Sequence, residues 1–553
     1  MTDAVPGKLR STVESWIAAD PDPSTIAEAR ALLEADAVDE LSDRFSGRLV
    51  FGTAGLRGAV GAGPNRMNRL VVRQAAAGLM AWLPDGATVV IGYDARPSSE
   101  AFADETAAVV RHFGGQALVG AGPLPTPALA HAVLAQGADA GVMVTASHNP
   151  RGDNGYKVYL ADGMQLVPPA DAEIEAAIVE AASSDMSVIA VAPEPRVDIV
   201  GPYVDALVDH LGPTDVVEPL RVVYTAMHGV GSAPLRQVFD RLGLPEPIVV
   251  PEQDEPDGEF PTTAFPNPEE PGALDLAFAL ARQVDADLVI ANDPDADRLG
   301  IALPGPDGWA RMTGDELGLL LADSVLRRTS GDDRIVASSI VSSSALAVLA
   351  ERHGVPHQPT LTGFKWVARV GVDTGRSLVF GYEEALGYAV TPLVRDKDGI
   401  SAAAELVGLA CELRGSGSDL RRHLDDLMDD IGVYVTAQRT QRVEGSGAIE
   451  RLRAAMASLR SDAPTRIGEV TIAETVDLGS GGALPPADVL IYRLDDGSRI
   501  ILRPSGTEPK LKAYLEVTAP SGDADVAQTR ASLRSSIDRL ADSVAELLAE
   551  RLA

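Results

Sequence analysis

Ser147 and His148 stand side by side in the stretch 142–159, which reads VMVTASHNPRGDNGYKVY, and Lys157 follows ten residues later. The apolar run 142–144 has the character of a strand, and it breaks off into small and polar residues closed by Pro150 and Gly152. That pattern places Ser147 in a tight loop at a strand end, where open α/β sheets meet their ligands. A serine hydroxyl is a weak nucleophile or phosphate carrier until a base or a cation assists it. His148 is adjacent, and a turn would bring Lys157 back towards it. For a Ser-His pair standing alone, a serine-rich turn with a surface histidine is the commoner explanation.

A second cluster is Asp293-Pro294-Asp295-Ala296-Asp297-Arg298, after the apolar run 288–291. Three carboxylates at alternate positions can converge on one hard cation, and magnesium takes such oxygen ligands while keeping positions open for phosphate. An EF-hand requires Gly at the sixth position and Glu at the twelfth, where Arg298 and Pro304 stand. An aspartyl phosphatase of the Asp-x-Asp-x-Thr type lacks its threonine here. A solvated acidic turn is the remaining bland explanation. A third cluster, Arg503-Pro504-Ser505-Gly506-Thr507-Glu508-Pro509-Lys510, combines an arginine, two hydroxyls and a glycine N–H into a natural phosphate cradle.

Together these stretches resemble the α-D-phosphohexomutases, the phosphoglucomutase and phosphomannomutase superfamily. TASHNP with GDNGYKVY is similar to that family's phosphoserine loop, which maps the phosphoryl-carrying role onto Ser147. Phe51-Gly52-Thr53-Ala54-Gly55-Leu56-Arg57-Gly58 resembles the N-terminal loop that supplies an active-site arginine, here Arg57. The aspartate cluster resembles the metal loop, in which Asp293, Asp295 and Asp297 would share one Mg2+ with the Ser147 phosphate, and Arg298 holds the following arginine position. LTGFKW resembles the Thr-Gly-aromatic-Lys loop, matching Thr362, Gly363 and Lys365 as substrate contacts. GYEEA resembles the sugar loop with Glu383 as its glutamate, and Ala385 replaces a serine that many members carry. Lys397, in Arg395-Asp396-Lys397-Asp398-Gly399, is expected to contact phosphate. The RxSGTEP resemblance makes Arg503, Ser505, Gly506 and Thr507 phosphate ligands. The form GYEEALGY is closest to the branch of phosphopentomutase-active phosphoglucomutases and glucose-1,6-bisphosphate synthase.

The elements needed to position these loops follow from composition and pattern. At 553 residues the chain is long enough for roughly three to four domains. A 45% hydrophobic content supplies several cores. A strand-loop-helix pattern starts at 88–92, 220–224 and 334–338, and each repeat has a later strand ending in a functional loop. The expected fold class is α/β, with three similar α/β sandwich domains around a central cleft and a smaller α+β C-terminal domain. The expected boundaries are 1–212, 213–320, 321–432 and 433–553. Residues 8–45 read as two helices broken near Pro21 and Pro23, with Ser24 as N-cap. Thr313 and Glu316 form a capping box. The Pro-rich, acidic stretches 192–202 and 251–271 read as surface connections or insertions.

The formal charge of −33 argues against nucleic-acid and anionic-membrane partners. It also requires positive charge to be concentrated wherever a sugar phosphate binds. Only six lysines are present, and all but Lys8 fall in or beside these motifs. The single Cys411 excludes an intrachain disulfide, which fits a reducing compartment, and no signal-like or membrane-length apolar run is present. A cytoplasmic enzyme is expected. The resemblance implies interconversion of sugar 1-phosphates with 6- or 5-phosphates through phosphoserine and a sugar bisphosphate, which also serves as activator. Ala385 and Lys365 tilt the substrate towards glucose and pentose phosphates over mannose phosphate. His148 and Lys157 both remain candidates for the general base. Two other readings share the motifs: a glucose-1,6-bisphosphate synthase and a non-catalytic sugar-phosphate sensor. An intact nucleophile and metal triad argue against the sensor.

Overall fold

The structure is a computed structural model that describes residues 5–52, 55–182, 186, 189–192, 195–214, 216, 218, 220–445, 447–505, 510–522 and 525–552. The chain packs as two compact units. One is Met1–Met312 with Leu386–Gly415, and the other is Thr313–Ala385 with Ser416–Ala553. Each carries two of the sheets that make up a four-domain α/β fold.

The first unit opens with three helices, Gly7–Ala19, Pro23–Glu34 and Val38–Phe45, where the sequence pattern suggests two. The second begins on Asp22, whose carboxylate accepts from Ser24 N at 2.8 Å, with Pro23 in the first helical position. Asp22 therefore takes the capping role expected of Ser24, because Pro23 opens the helix one residue earlier and the Asp22 carboxylate satisfies an orphan N–H of its first turn. The left-handed Asp36 (φ 48°) separates the second helix from the third. Trp16 and Phe45 meet edge to face at 5.6 Å within a small apolar core.

The first sheet runs in the order Leu56–Ala59, Asp153–Leu160, Ala140–Val144, Thr88–Tyr93, Gln116–Gly120, Arg196–Val197. Its centre is parallel, and Val89, Ile91, Val142 and Val144 are fully buried, as expected where helices cover both faces. Asp153–Leu160 runs antiparallel to its neighbours, so it returns from the Ser147 loop beside Ala140–Val144 and sets Lys157 opposite Met143. The second sheet has Val222–Thr225 parallel to Leu288–Ala291 and Ile248–Val249, with Gly300–Gly305 and Gly308–Arg311 completing an antiparallel edge. The aspartate cluster follows Leu288–Ala291, the carboxyl end of a central strand. The helix Gly399–Gly415, which buries Cys411, also belongs to this unit.

In the second unit Arg334–Ser339 lies parallel between His357–Thr360 and Ser377–Glu383. The last sheet is antiparallel throughout, in the order Val433–Arg442, Lys510–Ala519, Arg499–Pro504, Leu490–Leu494, Val470–Asp477, Arg466–Ile467. Leu452 and Met456 of the helix Ala448–Ser461 share its core with Ile537 and Val544 of the terminal helix Val526–Leu552. A serine-rich turn joins the two sheets. Ser344 N and Oγ donate to Glu516 at 2.8 and 2.6 Å, and Arg499 donates to the carbonyls of Ile340 and Ser342 at 3.1 and 2.7 Å. Among the described residues no helix is long and apolar enough to cross a membrane.

Thr313 caps Gly314–Arg328 in the capping box read from the sequence, with Glu316 as the reciprocal partner. Gly314, the first helical residue, lies so close to the sugar-loop backbone that a Cβ there would sit 1.8 Å from the Glu384 carbonyl oxygen. Backbone cannot move aside as a side-chain tip can, so Gly314→Ala should destabilise the protein by about 1–3 kcal/mol or more. Thermal unfolding would read this as a lower Tm, whereas Gly7→Ala, in open space, would leave Tm unchanged.

Candidate active site

The Ser147 loop is held by one guanidinium. Arg96 spends all five N–H donors on it or on its support. Nε reaches Asp94 Oδ2 at 3.1 Å, Nη1 reaches the carbonyls of Pro150 and Asp153 at 2.7 and 2.9 Å, and Nη2 reaches those of Ser147 and Asn149 at 2.8 and 2.6 Å. Asp94 in turn accepts from Thr145 Oγ1 at 2.7 Å and Ser99 Oγ at 2.5 Å, and Thr145 Oγ1 accepts from Ser147 N at 2.9 Å. Phe260 lies 5.0 Å from the Arg96 guanidinium carbon, and a Cβ on Gly258 would meet Arg96 Cα at 2.4 Å. The stretch 251–271, read as a surface connection, is thus partly buried, with Gln253 and Phe260 inside. Its Pro and Asp residues mask the buttress it forms.

Ser147 adopts a left-handed backbone (φ 53°), as does Ala296 (φ 54°) within the aspartate cluster. Such conformations persist in non-glycine residues only where the surroundings impose them, and they concentrate at working sites. Ser147 is buried, and its Oγ donates to Asp293 Oδ2 at 2.9 Å while lying 3.0 Å from His148 Nδ1. Arg57, on the adjacent strand Leu56–Ala59, reaches the same loop through Asn149 Oδ1 at 3.3 Å.

Asp293, Asp295 and Asp297 are fully buried or nearly so, with ligand oxygens within 4.8 Å of one another. Lys157 Nζ donates to Asp295 Oδ2 at 2.7 Å and Asp297 Oδ2 at 2.9 Å. Lys397 Nζ lies 3.3 Å from Asp297 Oδ2, and Arg298 Nε is 3.8–3.9 Å from Asp297 and Asp293. Burial and the charges of Asp295 and Asp297 push Asp293 well above the usual carboxylate range. Burial acts the same way on Asp297, but Lys157, Lys397 and Arg298 outweigh it and hold that carboxyl far down. Burial, with the nearby Arg298 and Arg57, keeps the His148 imidazole neutral well below its ordinary pKa. For Lys157, burial is outweighed by Asp295 and Asp297, so the ammonium keeps its proton.

The donor set suits a hard divalent ion. Among the described residues Asp295 Oδ1 and Asp297 Oδ1 are buried without a hydrogen-bond partner, Asp297 Oδ1 facing only Arg298 Nε at 3.8 Å, an arrangement whose desolvation cost a cation would relieve. Two further supports were assigned no role from the sequence, although Asp396 lies in the Lys397 motif. Thr126 Oγ1 donates to Asp295 Oδ2 at 2.6 Å, and Asp396 accepts from Tyr159 OH at 2.7 Å while also facing Lys397 Nζ at 3.2 Å. The Asp94-x-Arg96 spacing after a strand was the one visible hint of the Arg96 hub.

The remaining predicted residues lie in the second unit. Glu383 Oε1 accepts from Gly363 N at 2.6 Å, which ties the sugar loop to the Thr362–Lys365 loop. Lys365 is buried, its ammonium 5.4 Å from the Trp366 ring centroid. Arg503 and Ser505 share a cavity with Thr362, and Gly506 and Thr507 lie outside the described residues. Glu384, beside Glu383, accepts from Ser339 and Ser342 hydroxyls at 3.1 and 3.2 Å. Burial, then the charges of Glu383 and Asp315, push its carboxyl up to about 8.

A serine on left-handed backbone thus stands beside a buried three-carboxylate cluster that could hold a cation, with cationic side chains around it, on a four-domain α/β scaffold. Family models describing phosphoglucomutase/phosphomannomutase α/β/α domains I, II and III and the C-terminal domain match residues 48–185, 201–305, 313–430 and 441–533. The chain is 43% identical over 464 residues to a probable phosphomannomutase of Haemophilus influenzae, covering 81% of this chain and 93% of that protein. It is 34% identical over 582 residues to the phosphopentomutase of Homo sapiens, covering 96% and 95%. A crystal structure of a putative phosphomannomutase from Thermus thermophilus shares the fold, with TM-score 0.68 at 22% identity over 88% of this chain and 99% of that one. The chain belongs to the phosphoglucomutase/phosphomannomutase family, and its enzyme class is that of a phosphohexomutase isomerase.

Two outcomes test this geometry. Arg96→Lys replaces a five-donor fork by a point charge and strands loop carbonyls, so kcat should fall about a hundredfold through misplacement of Ser147, measured by steady-state kinetics. Glu384 holds a proton in the folded state that the unfolded chain releases near pH 4.5. Its contribution to stability therefore declines as pH rises from about 5 to about 8. Glu384→Gln removes that decline, so the variant's Tm should gain on wild type between pH 5 and pH 9.

Proposed function

We propose that the protein interconverts the 1-phosphate and the 6- or 5-phosphate of an aldose through phosphorylated Ser147 and a sugar bisphosphate. The observation that carries this reading is the Ser147 hydroxyl, held on left-handed backbone 2.9 Å from Asp293 and beside two unpartnered carboxylate oxygens. A binding module has no use for a nucleophile so placed.

In this mechanism the Ser147 phosphoryl group passes to the free hydroxyl of a sugar monophosphate, giving the bisphosphate and a free serine. The bisphosphate returns its other phosphoryl group to Ser147 and leaves as the isomer. Free bisphosphate can prime an unphosphorylated enzyme, which makes it an activator. One Mg2+ held by Asp293, Asp295, Asp297 and the serine phosphate would supply charge neutralisation on the transferring group. Arg57, Lys157 and Arg298 add fixed positive charge there, since phosphoryl transfer depends on positioning and neutralisation more than on covalent chemistry. Lys157 is bound to two carboxylates and stays an ammonium, whereas the neutral His148 Nδ1 is 3.0 Å from Ser147 Oγ. The Ser147 hydroxyl donates to Asp293 here, and rotated towards Nδ1 it would give His148 the proton that leaves Ser147 when the phosphoryl group returns. Glu383, with Thr362, Gly363 and Lys365, grips the sugar. Arg503, Ser505, Gly506 and Thr507 hold the non-reacting phosphate. Lys397, placed against Asp297, helps to neutralise the carboxylate group.

Glucose and pentose phosphates are the favoured substrates. Ala385 removes a hydroxyl that would read the sugar, and the phosphopentomutase relative matches nearly end to end. The probable phosphomannomutase relative keeps mannose 1-phosphate in the comparison.

The test compares kcat/KM for glucose, ribose and mannose 1-phosphates with Mg2+ and a trace of bisphosphate. At least one should turn over, with the glucose or ribose ester preferred. Ser147→Ala should lower that turnover more than about a thousandfold, and a chelator should remove it. Bisphosphate made only from an acyl phosphate donor would mark a synthase instead, and no turnover with either donor would overturn the enzymatic reading.

A further inference from the structure

The second unit has an open cavity of about 460 Å³, lined by five pieces of chain, three of which matter here. Arg503 and Ser505 come from the end of the strand Arg499–Pro504, and Thr362 and Trp366 from the loop and helix after His357–Thr360. The helix Ala448–Ser461, which carries none of the family motifs, contributes Ile449 and Arg453. Ile449 is unusually exposed for its type at 53%, and Trp366 is half-buried, so the cavity has an apolar wall facing solvent.

Arg453 is the odd group in this wall. It makes no hydrogen bond or ion pair among the described residues. On the same helix, Arg460 is bound to Asp477 at 3.0 Å and Asp488 at 2.6 Å, and Arg451 donates to the Glu444 carbonyl. Asp488 also lines the cavity, but its carboxylate is committed to Arg460. The chain has 80 acidic side chains against 47 lysines and arginines. An arginine left without a carboxylate in so acidic a protein, at the rim of a cavity that holds another arginine, marks a place for an external anion.

We propose that Arg453 is a second phosphate-binding cation, acting with Arg503 and Ser505 on the non-reacting phosphate of a sugar phosphate, while Ile449 and Trp366 shield that contact from water. The inference rests on the reading of the Arg503 loop as a substrate phosphate cradle. It assigns to the helix Ala448–Ser461 a binding role that no motif carries. A guanidinium can meet two phosphate oxygens at once, so Arg453 contributes to holding the substrate equally in the ground and transition states.

The experiment measures kcat and KM for the preferred sugar phosphate in wild type, Arg453→Gln, Arg453→Lys and Arg451→Gln. Calorimetric titration of each with glucose 1-phosphate accompanies the kinetics. Arg453→Gln should raise KM and the Kd at least tenfold with kcat within about twofold of wild type. Arg453→Lys should recover part of the loss, and Arg451→Gln, which removes the same charge from the same helix away from the cavity, should change neither. A KM and Kd within twofold of wild type for Arg453→Gln would overturn the inference, as would an equal rise in Arg451→Gln. If wild type turns over no sugar phosphate, the mutase reading fails, and the calorimetric comparison still decides whether Arg453 binds a phosphate ester.

Discussion

Three carboxylates crowded within 4.8 Å of one another in a buried loop repel strongly, and much of the first unit is arranged to offset that repulsion. Lys157 arrives on the strand that returns from the Ser147 loop, Lys397 from the loop before Gly399–Gly415, and Arg298 from the cluster itself. Three cations therefore face a cluster in which Asp297 is held ionised and Asp293 is pushed towards its protonated form. The balance constrains what else can enter. A phosphoserine brings about −1.5 to −2 charges, and a divalent cation brings the opposite amount, so the two can enter together without disturbing the neutralised triad. Asp295 Oδ1 and Asp297 Oδ1, which make no hydrogen bond among the described residues, are the places where such an ion would gain ligands at no cost to existing hydrogen bonds.

Neutralisation alone would not place the serine hydroxyl. Ser147 and Ala296 both sit on left-handed backbone, which β-carbon sterics disfavour, so each must be imposed by bonds elsewhere. For Ser147 the imposition is the Arg96 fork. Three of its five donors end on carbonyls of the loop that follows the strand Ala140–Val144 and a fourth on Asp153, where the next strand begins. For Ala296 it is the hydrogen bond from its N to the Asp293 carbonyl at 2.8 Å, and that from Gly399 N to its own carbonyl at 3.1 Å. The Lys397 loop therefore serves the cluster through backbone as well as through its ammonium.

What was legible in the sequence and what was not divide along chain contiguity. Ser147 and the aspartates could be read because each set lies in one short run after an apolar strand. The capping box at Thr313 and the buried Cys411 helix were local patterns of the same kind. Arg96 was nearly silent, because its partners are main-chain carbonyls, which every residue carries and no side-chain pattern advertises. Phe260 and Gly258 were hidden by the opposite effect, since the Pro and Asp around them carry the composition of a surface loop. The N-terminal segment gained a third helix because the break at Asp36 depends on a left-handed residue rather than on Pro or Gly. Arg453 could not have been found from type or spacing. Only the cavity and its lack of a carboxylate partner single it out.

The overall charge of −33 gives these local cations their importance. Screening confines the repulsion of a phosphorylated substrate to roughly 8 Å from the surface charges at physiological ionic strength. Within that range, binding depends on cations already fixed in place. Lys157 of the first unit answers this between Asp295 and Asp297, which hold it in position and whose charges outweigh burial and keep it protonated. The arginines of the second unit, Arg453 and Arg503, stand instead at an open cavity with an apolar wall, where on the proposed reading a planar fork would meet phosphate oxygens and lose little freedom in doing so. A buried ammonium suits the reacting phosphoryl group, whose charge must be matched at a fixed point. A rim guanidinium suits the phosphate that is only held, because in a mutase that group must be released and replaced by its counterpart at every turnover.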